Sequence, residues 1–134
     1  MSDIWRYAHR LKQLCRILMV VGLGLQWGCE RSVEVTAAEL AGGDPQRGRA
    51  IIWNYGCGTC HTIPGVRGAN GLVGPPLNGI ARRVYLAGVL PNTPDNMIRW
   101  LQNPQDVQRW TAMPDTGLTE DDARDIASFL YTLR

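Results

Sequence analysis

The sequence is poor in several residues that would have opened other readings. It has only two histidines, His9 and His61, and a single lysine, Lys12. Phenylalanine occurs once, at Phe129. Beyond residue 29 only Cys57 and Cys60 remain of four cysteines. A tetrahedral zinc site needs four protein ligands, and two Cys with one His cannot supply them. A large excess of one charge is missing too: 14 basic against 12 acidic residues leave a net +2, too balanced for the basic footprint of a nucleic-acid-binding face. No segment keeps a strand-like alternation, so an all-β or α/β design is excluded. With 134 residues there is room for one domain and one core, not for two catalytic domains. At 45% hydrophobic and 19% charged residues, the chain is neither a disordered tail nor a collagen-like repeat.

What charge imbalance exists sits at the front. Residues 1–28 carry +3 and the rest −1. Arg6, Arg10, Lys12 and Arg16 precede an apolar run from Ile17 to Trp27, the layout of an export signal. Thirteen residues lie between Arg16 and Glu30. As a helix they would reach about 20 Å, short of a hydrocarbon core of about 30 Å. Leu25-Gln26-Trp27-Gly28-Cys29 is similar to a bacterial lipobox, which implies lipidation of Cys29. An uncleaved membrane anchor and cleavage at another point are the alternatives. Residues 29–43 then read as a flexible tether ending in Gly42-Gly43, and residues 44–134 as the folded domain. That is a small body for a purely apolar core, which implies that something else helps to fill it.

The two domain cysteines fall in Cys57-Gly58-Thr59-Cys60-His61. C-x-x-C-H is the attachment motif of c-type haem. Two thiols two residues apart lie on one turn, at the spacing of two vinyl groups on one side of a porphyrin, and the adjacent imidazole reaches the iron. A thioredoxin-type motif would want a βαβ pattern around it. A disulfide across so short a loop would add little and would leave His61 without a role. The opposite axial ligand follows by elimination. His9 belongs to the leader, so a second histidine is unavailable, and Met1 and Met19 are in the leader as well. Of the remaining methionines, Met97 sits on a helical apolar stripe and reads as core. Met113 sits in the non-helical Thr111-Ala112-Met113-Pro114-Asp115, which Pro114 stiffens. Met113 is the preferred ligand, with Met97 or an open sixth position as the alternatives. His–Met ligation raises the potential and suits electron transfer.

Helix signals surround this motif. Asp44-Pro45 and Thr93-Pro94 are N-cap and first-turn pairs, and Asn103-Pro104 stops the second helix. Thr119 and Asp122 resemble a capping box with Asp in place of Glu. Ala123, Ile126, Ala127, Leu130 and Leu133 keep helical spacing. The expectation is an all-α domain of three to five helices with a long glycine-rich loop between Ile63 and Leu90.

Together with Gly74-Pro75-Pro76-Leu77-Asn78-Gly79, Trp100-Leu101-Gln102-Asn103-Pro104 and Met113-Pro114, the C-x-x-C-H resembles the class I cytochromes c over Gly43 to Arg134. Leu90-Pro91-Asn92-Thr93-Pro94-Asp95-Asn96 and Asn103-Pro104-Gln105 look more narrowly like the haem c domain fused to subunit II of some bacterial cytochrome c oxidases. The resemblance implies the cytochrome c fold round one covalent haem c. It implies that Pro75 packs against His61, with a nearby carbonyl accepting the second ring N–H. Leu77 belongs to the same stretch. The resemblance also sends Arg83, with Arg82 as the alternative, towards a haem propionate, and places Trp100 on the Met side. It implies a carrier without bond-making chemistry, working on the periplasmic side of the membrane between an electron-donating complex and an oxidase. A permanent oxidase or dehydrogenase subunit and a haem-based sensor with a labile sixth ligand are the alternatives. The lysine ring with which mitochondrial-type carriers dock is absent, because no lysine follows Lys12.

Overall fold

Asp44 and Pro45 start the first helix as their chemistry dictates. In the computed structural model, which describes residues 41–134, helix α1 runs Pro45–Asn54. The Asp44 carboxylate accepts from the amides of Gln46 and Arg47, two donors that lack partners inside the helix. Gly48, Ile51 and Ile52 form its buried face. Gly56 then adopts φ 68° and turns the chain into a single 3-10 turn, Cys57–Thr59. The leader, the lipobox with Cys29, and the tether up to residue 40 lie outside the described residues.

The glycine-rich loop is only partly irregular. Ile63, Val66 and Ala69 are buried in it, and a short 3-10 turn follows at Ile80–Arg82. One feature departs from the all-α expectation. Tyr85–Leu86 (β1) and Leu90–Pro91 (β2) pair antiparallel, Tyr85 opposite Pro91 and Leu86 opposite Leu90. Two residues per strand are too few to show alternation in a sequence. The turn between them puts both Ala87 (φ 51°) and Gly88 (φ 74°) in the left-handed region, the backbone of a type I′ hairpin turn. Among the described residues the fold is nonetheless mostly helical, as the sequence leads one to expect, with four α-helices.

Helix α2, Pro94–Gln102, is capped by the Thr93 hydroxyl accepting from the Asn96 amide at 3.4 Å. It buries Met97, Ile98 and Leu101. Asn103 ends it, and Pro104 opens the short helix α3, Pro104–Val107. Helix α4, Glu120–Leu130, has the expected Thr119 cap, whose hydroxyl accepts from the Asp122 amide at 3.2 Å. The reciprocal half of the capping box is not made. The Asp122 carboxylate accepts from Tyr55 Oη at 3.0 Å and from Arg47 at 2.7 Å instead.

The core forms where α4 meets α1 and α2. Ala123, Ile126, Ala127 and Leu130 of α4 join Ile51 and Ile52 of α1 and Met97 and Leu101 of α2. Helices α1 and α4 touch backbone to backbone: a Cβ added at Gly48 would lie 2.0 Å from the Asp125 carbonyl oxygen. Asp125, 6% exposed, is buried with its charge matched. Its Oδ1 accepts the Asp44 amide at 2.7 Å, and its Oδ2 is ion-paired to Arg47. A buried carboxylate is tolerable only with such partners. Packing also reaches back before Asp44. Ala41 is buried, and the Gly43 amide donates to Ser128 Oγ at 3.0 Å. Among the described residues no helix is long and apolar enough to cross a membrane.

Candidate functional site

The Cys57–Thr59 turn follows directly from the end of α1, so the position of both thiols is set by the α1–α4 packing. The turn is closed locally: the Thr59 amide and hydroxyl both donate to the Gly56 carbonyl, at 2.9 and 2.8 Å, and the His61 amide donates to Cys57 O at 3.0 Å. Cys57 and Cys60 are free thiols, both half-buried. Burial pushes the Cys57 thiol up from its ordinary value, its own backbone partly offsets this, and the neighbouring Cys60 adds to the rise.

His61 has one ring nitrogen engaged. Nδ1 lies 2.7 Å from the Pro75 carbonyl oxygen. A carbonyl can only accept, so Nδ1 carries the proton and Nε2 presents its lone pair. Pro75 thus stands at His61 through its own carbonyl. Gly74 was given no role of its own from the sequence, yet its backbone lies directly against the His61 ring. A Cβ there would fall 2.3 Å from His61 Cε1 and 2.6 Å from Nδ1. Its amide also donates to Cys60 O at 2.8 Å. Gly71 plays a similar part beneath the motif, where a Cβ would meet the Thr59 carbonyl oxygen at 2.3 Å. The glycines of this loop let it press against the C-x-x-C-H turn.

The other expected residues fall in distinct places. Leu77 is buried, and its amide donates to Thr62 O at 2.9 Å. Arg83 turns back on the loop and donates to the carbonyls of Pro76 and, at 3.5 Å, Asn78. Arg82 is exposed. Trp100 is half-buried on α2, between Arg99 and the buried Leu101. Met97 is 0% exposed and belongs to the core. Met113 lies in an irregular stretch and packs, partly exposed, at the edge of that same core, as does Cys57. The structure therefore brings the Cys57 sulfur and the Met113 thioether to the border of one apolar cluster, with the oriented His61 imidazole four residues beyond Cys57.

This donor set fits haem c. Two free thiols in one turn suit two thioether bonds, and an imidazole with its proton fixed on Nδ1 offers Nε2 to iron. Among the described residues no three His, Cys, Asp or Glu side chains gather to hold a metal ion. An iron reached by His61 and Met113 alone would need its remaining donors from a porphyrin.

Comparison with known proteins agrees with this chemistry. The family model described as Cytochrome c matches residues 45–134. Cytochrome c oxidase subunit 2 of Alkalihalophilus pseudofirmus is 27% identical to the chain over 108 residues. That stretch is 80% of this chain, and the chain spans about 30% of the length of that relative.

Proposed function

The chain belongs to the cytochrome c family, and from that premise we propose that it passes single electrons between respiratory complexes, ending at a terminal oxidase, from the periplasmic face of the cytoplasmic membrane. Membership of the family carries with it a covalently attached haem c and an electron-carrying role. When bound, that group supplies an iron that alternates between Fe(II) and Fe(III). The chain's own residues do the rest. Cys57 and Cys60 would anchor the group through thioether bonds, and His61, held by Pro75 O with Gly74 against its ring, would offer Nε2 to the iron. Met113 would supply the second side-chain donor to the iron, and a His–Met donor set suits electron transfer and tells against a gas sensor.

The observation that carries the reading is the His61 Nδ1 contact to Pro75 O at 2.7 Å, because it engages one ring nitrogen and leaves Nε2 as the one that would bind iron. An oxidase as acceptor is supported by the likeness to an oxidase subunit 2. The membrane address is supported by the apolar run of residues 17–27 and by Cys29.

Two measurements test it. Acid–acetone extraction should leave haem on the polypeptide, and haem in the organic phase would overturn the assignment of Cys57 and Cys60. Reduced holoprotein added to membranes containing the oxidase should be reoxidised in a cyanide-sensitive way. Reoxidation at the rate of the buffer control would remove the oxidase from the proposal.

A further inference from the structure

The loop that carries Met113 has an unusual set of fastenings. From Ala112 to Leu118 no backbone group bonds to another backbone group among the described residues. Pro114 contributes no donor of its own. Side chains hold the segment instead. The Met113 amide donates to Thr111 Oγ1 at 3.2 Å, and the Met113 carbonyl accepts from Gln105 Nε2 at 2.8 Å. At the far end the Leu118 carbonyl accepts from Gln102 Nε2 at 3.4 Å. Gln102 closes α2 and Gln105 lies in α3. Two amide side chains three residues apart thus hold the loop near its start, at Met113, and at its last residue, Leu118.

We propose that Gln105, with Gln102 as the weaker second point, is a positioning residue that clamps the Met113 loop and so keeps the thioether seated at its ligand position. The inference rests on Met113 being the axial ligand. Gln105 is built to fix the Met113 backbone rather than the sulfur. Its Nε2 donates to the carbonyl on the same residue as the thioether, so a shift of the Met113 backbone away from α3 must break this bond. The neighbouring fastening at Thr111 acts on the amide of the same residue, and the turn that holds Thr111 is itself closed by its amide donating to Gln108 O at 3.0 Å. Loss of the Gln105 donor therefore frees one side of Met113 while leaving the helices intact.

The test uses the ferric holoprotein at pH 7 and imidazole as an external ligand competing with the thioether. Gln105→Leu, which has no donor, and Gln105→Glu, which offers acceptors alone, should both raise the rate of imidazole entry. The expected factor is roughly two- to tenfold, the range that one ordinary hydrogen bond carries. Both should weaken the red-region sulfur-to-iron absorption while far-UV dichroism stays as in the parent protein. Gln105→Lys restores a donor and should recover most of the parent behaviour. Parent-like entry rates in the Leu and Glu variants overturn the clamp, as does a Lys variant that behaves like Leu. Met113→Ala separates the two layers of the argument: loss of its band in that variant leaves the ligand reading standing, and retention overturns ligand and clamp together.

Discussion

At the scale of single residues, the two domain methionines are a controlled pair. Met97 is fully buried among apolar neighbours, whereas Met113 stands half-exposed on an irregular loop. Met97→Ala should leave a cavity and cost about 2–5 kcal/mol of stability, with the sulfur-to-iron absorption unchanged. Met113→Ala should abolish that absorption and lower the reduction potential, with a smaller loss of stability; urea titration and redox potentiometry on both variants distinguish the roles. A reversed pattern would move the ligand to Met97. Gly74 offers a second test. A methyl group there would lie 2.3 Å from His61 Cε1, closer than any relaxed contact, so Gly74→Ala must displace the imidazole or the loop. The expected result is a reduced yield of haem-loaded protein and an altered axial spectrum, read by pyridine haemochrome and absorption; an unaltered spectrum at full yield would sink the claim that the ring is held there. The Cys57–His61 motif was legible because thioether and axial chemistry restrict residue type and spacing, and Met97 was legible as core because it lies on a helical apolar stripe. Gly74 and Gln105 were not. What matters at Gly74 is the distance to a ring thirteen residues earlier, and at Gln105 a side chain reaching a carbonyl across a bend, and neither leaves a periodic trace.

At the scale of elements, the helices were legible wherever a cap announced them, and their mutual arrangement was not. Asp44, Thr93 and Thr119 all cap as their types require. The use of Asp122 shows where local rules stop: its carboxylate abandons the capping box for Tyr55 and Arg47 of the α1 region, a tertiary contact that no local pattern encodes. The hairpin at residues 85–91 was missed for a different reason, since its strands are only two residues long. Its surroundings are tied to α4 through Asn92. Both Asn92 amide hydrogens are given away, to Ile80 O and Arg83 O at 2.8 Å each, and its Oδ1 accepts from Tyr131 Oη at 3.0 Å. Burial, with the charge of Asp95 adding to it, pushes the Tyr131 phenol up from 10.0 to about 12. In the unfolded chain the phenol ionises near its ordinary value, so the neutral form is favoured by folding. Stability from this group is whole below pH 10 and is lost as pH rises through about 12. Solvent access to the half-exposed ring makes the loss modest. Urea midpoints measured at pH 9 and pH 11.5 should therefore fall more in the parent protein than in Tyr131→Phe, which lacks the titration as well as the bond to Asn92. Equal falls in the two proteins would show that Tyr131 does not sense the fold.

At the scale of the whole molecule, the question is how the carrier meets its partners. No lysine follows Lys12, so a lysine ring cannot steer the domain to a partner, and charge after the leader is close to balanced. Long-range electrostatic steering should then contribute little, and encounter must be promoted otherwise. Confinement at the proposed membrane address would do this. Under the proposal that Cys29 is the lipidated N-terminus, a tether of about 14 residues would let the domain search a shell of roughly 20 Å above the membrane. Carrier and integral oxidase then meet at an effective concentration on the order of millimolar. Packing from Ala41 onward takes the last residues of that tether into the domain, which shortens the reach slightly and leaves the argument intact. Cys29→Ser should release, mislocalise or leave unprocessed a protein whose haem spectrum matches the parent. Oxidase turnover should fall because encounters fall, and an excess of soluble domain, residues 30–134, should restore it. The alternative of an uncleaved anchor predicts that Cys29→Ser stays on the membrane at full activity. Mass spectrometry of the native N-terminus separates the two: a lipid-modified Cys29 supports tethering, whereas an intact Met1 or an unmodified Cys29 removes the lipid and leaves the haem chemistry of residues 57–61 untouched.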